Sequence, residues 1–183
     1  MIILSAFEKF GKYKYNLSES IVNKFPNYFN KHLINKLIIP VSWRRSLASL
    51  NEMQGKNQPN PPIILLTGIH EKKSISIEER AYNFKFGFDE DGSFKCGFIK
   101  HTGNCVLKTD INIGRMLFKL KDYKEVEISA YPGFFLCNYI YYISLFFYKS
   151  SSRVLLIHFP SSGSLKRYTS VLTSILTIML KNE

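Results

Sequence analysis

Cysteine is scarce in this chain, and what there is forms no framework. The three cysteines, Cys96, Cys105 and Cys137, make an odd count without disulfide spacing, which suits free thiols in a reducing compartment. A secretory leader is also lacking: Met1-Ile2-Ile3-Leu4-Ser5-Ala6-Phe7 reads directly as a strand, without a basic segment, a long apolar stretch or a small-residue cleavage site. These two absences point to a cytoplasmic protein. No apolar run reaches the ~20 residues of a membrane-spanning helix. The longest, 134–148, is broken by Asn138 and Ser144 and fits a helix buried among neighbours, so no membrane partner is expected. No internal repeat or low-complexity tract is found.

Acidic residues are outnumbered, 14 against 25 basic ones, for a net charge of +11. Such a field attracts polyanions, but the basic residues are scattered singly or in pairs such as Arg44-Arg45 and Lys72-Lys73, with no basic helix face. A solvated basic surface is expected, with no specific nucleic-acid partner. Cys96, His101 and Cys105 fall short of the four ligands of a closed zinc site. The metal expectation is therefore none, and no cofactor is called for.

What is present is an alternation. At 183 residues the chain has the size of one domain, with roughly 70% of its unfolded surface buried on folding. Strand-like runs at 1–6, 33–39, 63–67, 126–129 and 154–158 recur between helical ones. Ser18, Ser42, Asp110 and Ser164 read as helix N-caps. In the last helix Leu165, Tyr168, Leu172, Ile175, Leu176 and Met179 share one face. The pattern predicts an α/β fold, a three-layer α/β/α sandwich with a mostly parallel central sheet and ligands beyond the carboxyl ends of its strands. Between Ser74 and Lys100 the period changes to two, with Asp89-Glu90-Asp91-Gly92 as a turn, which predicts a β-hairpin excursion. Gln58-Pro59-Asn60-Pro61-Pro62 reads as a stiff loop before the third strand.

The chemistry-bearing residues are few. Cys137 follows Pro132-Gly133-Phe134-Phe135-Leu136, so it stands in the first turn of a predicted helix. There, unpaired N–H groups and the helix dipole lower a thiol's pKa and can hold an oxyanion. His158 ends the strand-like run Arg153-Val154-Leu155-Leu156-Ile157, where strand order could bring its imidazole to the same sheet edge. A thiol and a base suggest acyl transfer. Each also has an ordinary structural use, a buried thiol or a histidine bonded to a carbonyl, and a third group is needed.

Glu78 supplies it, within Ile75-Ser76-Ile77-Glu78-Glu79-Arg80-Ala81-Tyr82-Asn83. This stretch resembles a segment of the form Ile-Thr-Leu-Glu-Arg-Val-Ala-x-Asn in the pyroglutamyl peptidase I family, also called pyrrolidone carboxyl peptidases. Further matches keep the family's order along nearly the whole chain. Ala6-Phe7-Glu8-Lys9-Phe10-Gly11-Lys12 is similar to its Gly-Phe-x-Pro-Phe-Gly-Gly loop, and Asn16 stands at its Asn-Pro pair. Leu37-Ile38-Ile39-Pro40-Val41 looks like its second strand and proline. Pro132 to Asn138 resembles Ala-Gly-Thr-Phe-Val-Cys-Asn, and Leu156-Ile157-His158-Phe159-Pro160 resembles Phe-Ile-His-x-Pro.

The resemblance implies a cysteine peptidase, one domain over 1–183, that removes N-terminal pyroglutamyl residues from peptides. Cys137 is then the nucleophile, His158 the base and Glu78 the residue that orients it. Phe7, Phe10, Phe135 and Leu136 take the substrate-binding places. A peptide with N-terminal pyroglutamate is the implied partner, and a homo-oligomer is left open. Several supporting residues differ: Ala6, Lys9 and Lys12 alter the first loop, and the family's arginine beyond Asn83 is missing from Phe84-Lys85-Phe86-Gly87-Phe88-Asp89. These departures carry the alternative expectation, a divergent and weakly active or inactive member that binds pyroglutamyl-like ligands.

Overall fold

The structure is a computed structural model that describes residues 1–52 and 61–181. Gln58, Pro59 and Asn60 of the expected stiff loop lie outside the described residues. In chain order the first half contains β1 (Ile2–Phe7), α1 (Leu17–Lys24), β2 (Tyr28–Phe29), β3 (His32–Ile39), α2 (Trp43–Glu52), β4 (Ile63–His70), β5 (Ile75–Glu78) and β6 (Arg80–Tyr82). There follow β7 (Lys85–Phe88), β8 (Phe94–Gly97), β9 (Val106–Lys108), α3 (Ile113–Lys119), β10 (Val126–Ser129), α4 (Leu136–Tyr148), β11 (Arg153–Pro160) and α5 (Leu165–Lys181).

Seven strands form the central sheet in the order β10-β5-β11-β4-β1-β3-β2. Its pairings are parallel except β5 with β11 and β2 with β3. The inner strands read as near-continuous apolar runs because both faces are covered. On one face Ile2, Leu4, Leu65, Leu155 and Ile157 pack with residues of α1, α3 and α5. Ile3, Phe7, Ile64, Leu66 and Leu156 turn the other way, toward Trp43, Leu50 and the apolar side of α4. These are the three expected layers.

β5 departs from the expectation. The run 75–78 belongs to the main sheet and not to the hairpin, and it pairs antiparallel with β11. The reason is the shortness of the connection 71–74, because a parallel return needs a crossover of a dozen or more residues. The chain therefore reverses directly, and β11 inserts later between β4 and β5. The hairpin itself is β7 with β8, in register Phe86↔Cys96 and Phe88↔Phe94.

Two N-caps also move. Helix α1 starts two residues earlier than expected, capped by Asn16, whose Oδ1 accepts the Ser18 amide at 3.0 Å. Helix α3 is capped by Asn112, which accepts the Arg115 amide at 2.8 Å, while Asp110 faces Lys149 at 3.8 Å. In both places an asparagine two residues from the expected cap supplies the side-chain oxygen that the position favours. Ser42 and Ser164 accept amides of α2 and α5 as expected.

Candidate active site

Alternation along strands decides which side chains meet. His158 has the parity of Val154 and Leu156, so it faces α4. Gly68, its register partner on β4, and Glu78, opposite Leu156 on β5, face the same way. Cys137 is the second residue of α4 and comes down on this patch from above. Glu78, His158 and Cys137 are thereby brought together from three elements.

The contacts are specific. His158 Nδ1 lies 2.8 Å from Glu78 Oε1, and Cys137 Sγ stands near the Nε2 edge of the same ring. A Cβ placed on Gly68 would sit 2.8 Å from Cys137 Sγ and 3.2 Å from His158 Nε2. Only a residue without a side chain fits beneath both reactive atoms. Glu78 and His158 are almost fully buried, at 1% and 5% exposure, whereas Cys137 is half-buried. The sulfur thus stands nearest the surface.

Burial by itself pulls an imidazole down. At His158 that pull is outweighed by the charge and hydrogen bond of Cys137 and by those of Glu78, and the group is pushed up to about 10. Among the described residues Glu78 Oε2 is buried with no hydrogen-bond partner. The carboxylate thus directs its interaction at the one imidazole it touches, and its backbone carbonyl accepts from Tyr141 Oη at 2.9 Å.

The first turn of α4 is held from outside. Gly133 adopts φ +79°, a left-handed turn that glycine makes without steric cost, and Phe135 at the N-cap offers no side-chain cap. The N–H groups around Cys137 are thus left to a ligand or solvent. Asn138 anchors the turn: its Nδ2 donates to the carbonyls of Tyr82 and Phe84, and its Oδ1 accepts the Tyr82 amide, all at 2.8–2.9 Å. Asn83 binds 99–103 in the same manner, and Asn16 Nδ2 donates to Glu8 O across the first loop.

The expected substrate residues divide. Phe7 and Leu136 are buried in the layer beneath α4, so Leu136 could meet a ligand only through its backbone. Phe10 and Phe135 keep accessible surface. Phe135 packs edge-on against Trp43, with ring centroids 5.3 Å apart, and its ring lies over Gly87. Phe10 packs edge-on against Tyr13 at 5.4 Å, in a loop whose Gly11 amide donates to Glu90. Lys85, next to the missing arginine, holds its ammonium 5.7 Å over the Tyr139 ring, and burial lowers its pKa.

Sequence reasoning missed Gly68, His70 and Asp89. Gly68 had a signal, since a glycine inside a strand run marks a close approach. Asp89, read only as a turn residue, also accepts the Trp43 amide at 2.8 Å, and His70 stacks on His158; neither long-range contact has a local pattern. Among the described residues no group of three or more His, Cys, Asp or Glu could hold a metal ion. No described helix is long and apolar enough to cross a membrane.

Known proteins share this fold. A family model described as pyroglutamyl peptidase matches residues 1–163. A pyrrolidone-carboxylate peptidase of Lactobacillus acidophilus is 29% identical over 145 residues, covering 77% of this chain and 72% of that protein. One from Thermosipho melanesiensis is 27% identical over 146 residues, covering 77% and 71%. Among solved structures, pyrrolidone carboxyl peptidase from Thermus thermophilus superimposes with a TM-score of 0.88 at 20% identity, covering 96% of this chain and 98% of that one. Pyroglutamyl peptidase I from Bacillus amyloliquefaciens gives 0.86 at 24% identity, covering 98% and 94%.

Proposed function

The chain belongs to the pyroglutamyl peptidase family, and from that premise we propose that it hydrolyses the N-terminal pyroglutamyl residue from peptides through Cys137, His158 and Glu78. The observation that carries the reading is the buried contact of His158 Nδ1 with Glu78 at 2.8 Å, on the ring whose other side meets Cys137.

In this reading the Cys137 thiolate attacks the carbonyl carbon of the pyroglutamyl-peptide bond. A tetrahedral oxyanion forms beside the uncapped first turn of α4, whose N–H groups supply hydrogen bonds and a positive dipole end. His158 gives its proton to the leaving amine, and the bond to the peptide breaks. The thioester left on Cys137 is attacked by water, from which the now neutral His158 takes a proton. Pyroglutamate leaves and the thiolate is restored. Glu78 fixes the ring's tautomer and stabilises its cationic form.

Phe10 and Phe135, with Phe7 behind them, provide aromatic faces suited to a flat, uncharged lactam. The phenylalanines and Leu136 hold substrate; they transfer no proton. The test is release of a fluorophore from a pyroglutamyl amide by the reduced protein, and its loss in Cys137→Ala. An unsubstituted protein with no turnover would refute the proposal.

A further inference from the structure

His70 ends β4 and is absent from every step above. Its ring lies nearly parallel to that of His158, with centroids 5.5 Å apart and planes at 19°. The strands explain why: Gly68 is the register partner of His158, so His70, two residues on, is its diagonal neighbour on the same face. His70 Nε2 lies 2.7 Å from the Ser74 carbonyl. A carbonyl only accepts, so Nε2 carries the hydrogen and the orientation of the ring is fixed.

We propose that His70 is a positioning residue, a neutral aromatic plate that shields one face of His158, holds its ring on the line from Glu78 to Cys137 and favours its cationic form. The electron-rich face of a neutral ring attracts a cation set against it. Burial first, then the charge of His158, lowers the pKa of His70 below the usual histidine value, against the raising effect of the Ser74 carbonyl. It is therefore uncharged at neutral pH. The charged and titratable groups facing it are His158 on β11, Glu78 on β5 and Lys72 in the connection 71–74. Once His70 gains a proton in acid, two like charges face each other across the stack and the His158 cation is disfavoured.

The kinetic part of the test rests on the peptidase reading; the chemical part does not. His70→Ala and His70→Phe are compared with the unsubstituted chain, measuring kcat and KM on a pyroglutamyl amide and the rate of Cys137 alkylation by iodoacetamide, resolved from Cys96 and Cys105 by peptide mass spectrometry. Loss of the plate is expected to lower kcat about tenfold with KM within about twofold, to slow alkylation in proportion and to move the alkaline limb downward. His70→Phe restores all three to within about threefold, and the acid downturn below the histidine range disappears. Unchanged alkylation and alkaline limb in His70→Ala would overturn the proposal, as would a folded His70→Phe no better than His70→Ala. Should either variant fail to fold, the unsubstituted protein decides: its alkylation rate must fall below the histidine range, and a flat profile there refutes the plate. No turnover by the unsubstituted chain would remove the peptidase reading while alkylation still judges His70.

Discussion

The two poles of the sheet differ in a way that separates space from chemistry. At the amino ends of β4 and β11 lies a cavity of about 790 Å³, lined by residues including His32, Asp110, Arg115, Lys149 and Arg153. Of its charged groups, Lys149 faces Asp110 and Arg153 donates to the Met179 carbonyl. Toward the carboxyl ends a thiol, an imidazole and a carboxylate converge from three elements. Convergence of groups that perturb one another, rather than a cavity, is what supports placing the proposed site at this pole.

The comparison breaks if substitutions at the two poles have similar effects. Cys137→Ala should have the largest effect, on the order of 10⁴-fold or more in kcat, since the proposed nucleophile is lost; burst and steady-state fluorescence assays would show it. Next stands Glu78→Gln, expected to lower kcat by about 10³–10⁴-fold by admitting the wrong tautomer of His158. The same variant sharpens the pH argument. His158 is pushed up to about 10, so activity that needs its proton should persist well above neutral pH and fall as pH rises through about 10. Without the charge of Glu78, that limb should move to lower pH.

Stability has the matching sign. A histidine whose folded pKa is raised contributes fully below its unfolded value, near 6.5, and loses that contribution as pH rises toward about 10. Denaturant melts across that window should show a slope in the unsubstituted chain that is smaller in Glu78→Gln. Gly68→Ala is expected to cost roughly 10²-fold in kcat, because its methyl group must displace the sulfur or the ring. Asn138→Ala removes three part-buried hydrogen bonds to 82–84 and should destabilise the fold by about 2–4 kcal/mol in urea melts.

The smallest effect belongs to the other pole. The Lys149 and Asp110 side chains are 42% and 68% exposed, so Asp110→Asn should change stability by no more than about 0.5 kcal/mol and leave kcat within about twofold. A loss of activity there as large as that of Gly68→Ala would erase the distinction between the poles.

Much of this was legible in the chain and some was not. Gly133 before an apolar helical run placed Cys137 in a first turn, and the apolar run up to His158 placed the imidazole at a strand end. The role of 75–78 was ambiguous because four alternating residues read alike in a hairpin and in a sheet. Ser18 and Asp110 were misread as caps because Asn16 and Asn112, equally good oxygen acceptors, stood two residues away. His70 left no trace, since its partner is 88 positions along and their stacking depends on β11 entering beside β4.

The sequence by itself determined the elements and the inventory of reactive groups, because turn chemistry and the periods of strand and helix act over a few residues. Only the tertiary structure decided who touches whom. Strand order and register put Glu78 under His158, Gly68 beneath the sulfur and His70 against the ring. Those are long-range choices, fixed when two apolar faces of one sheet are covered at once, and no short stretch of chain carries them.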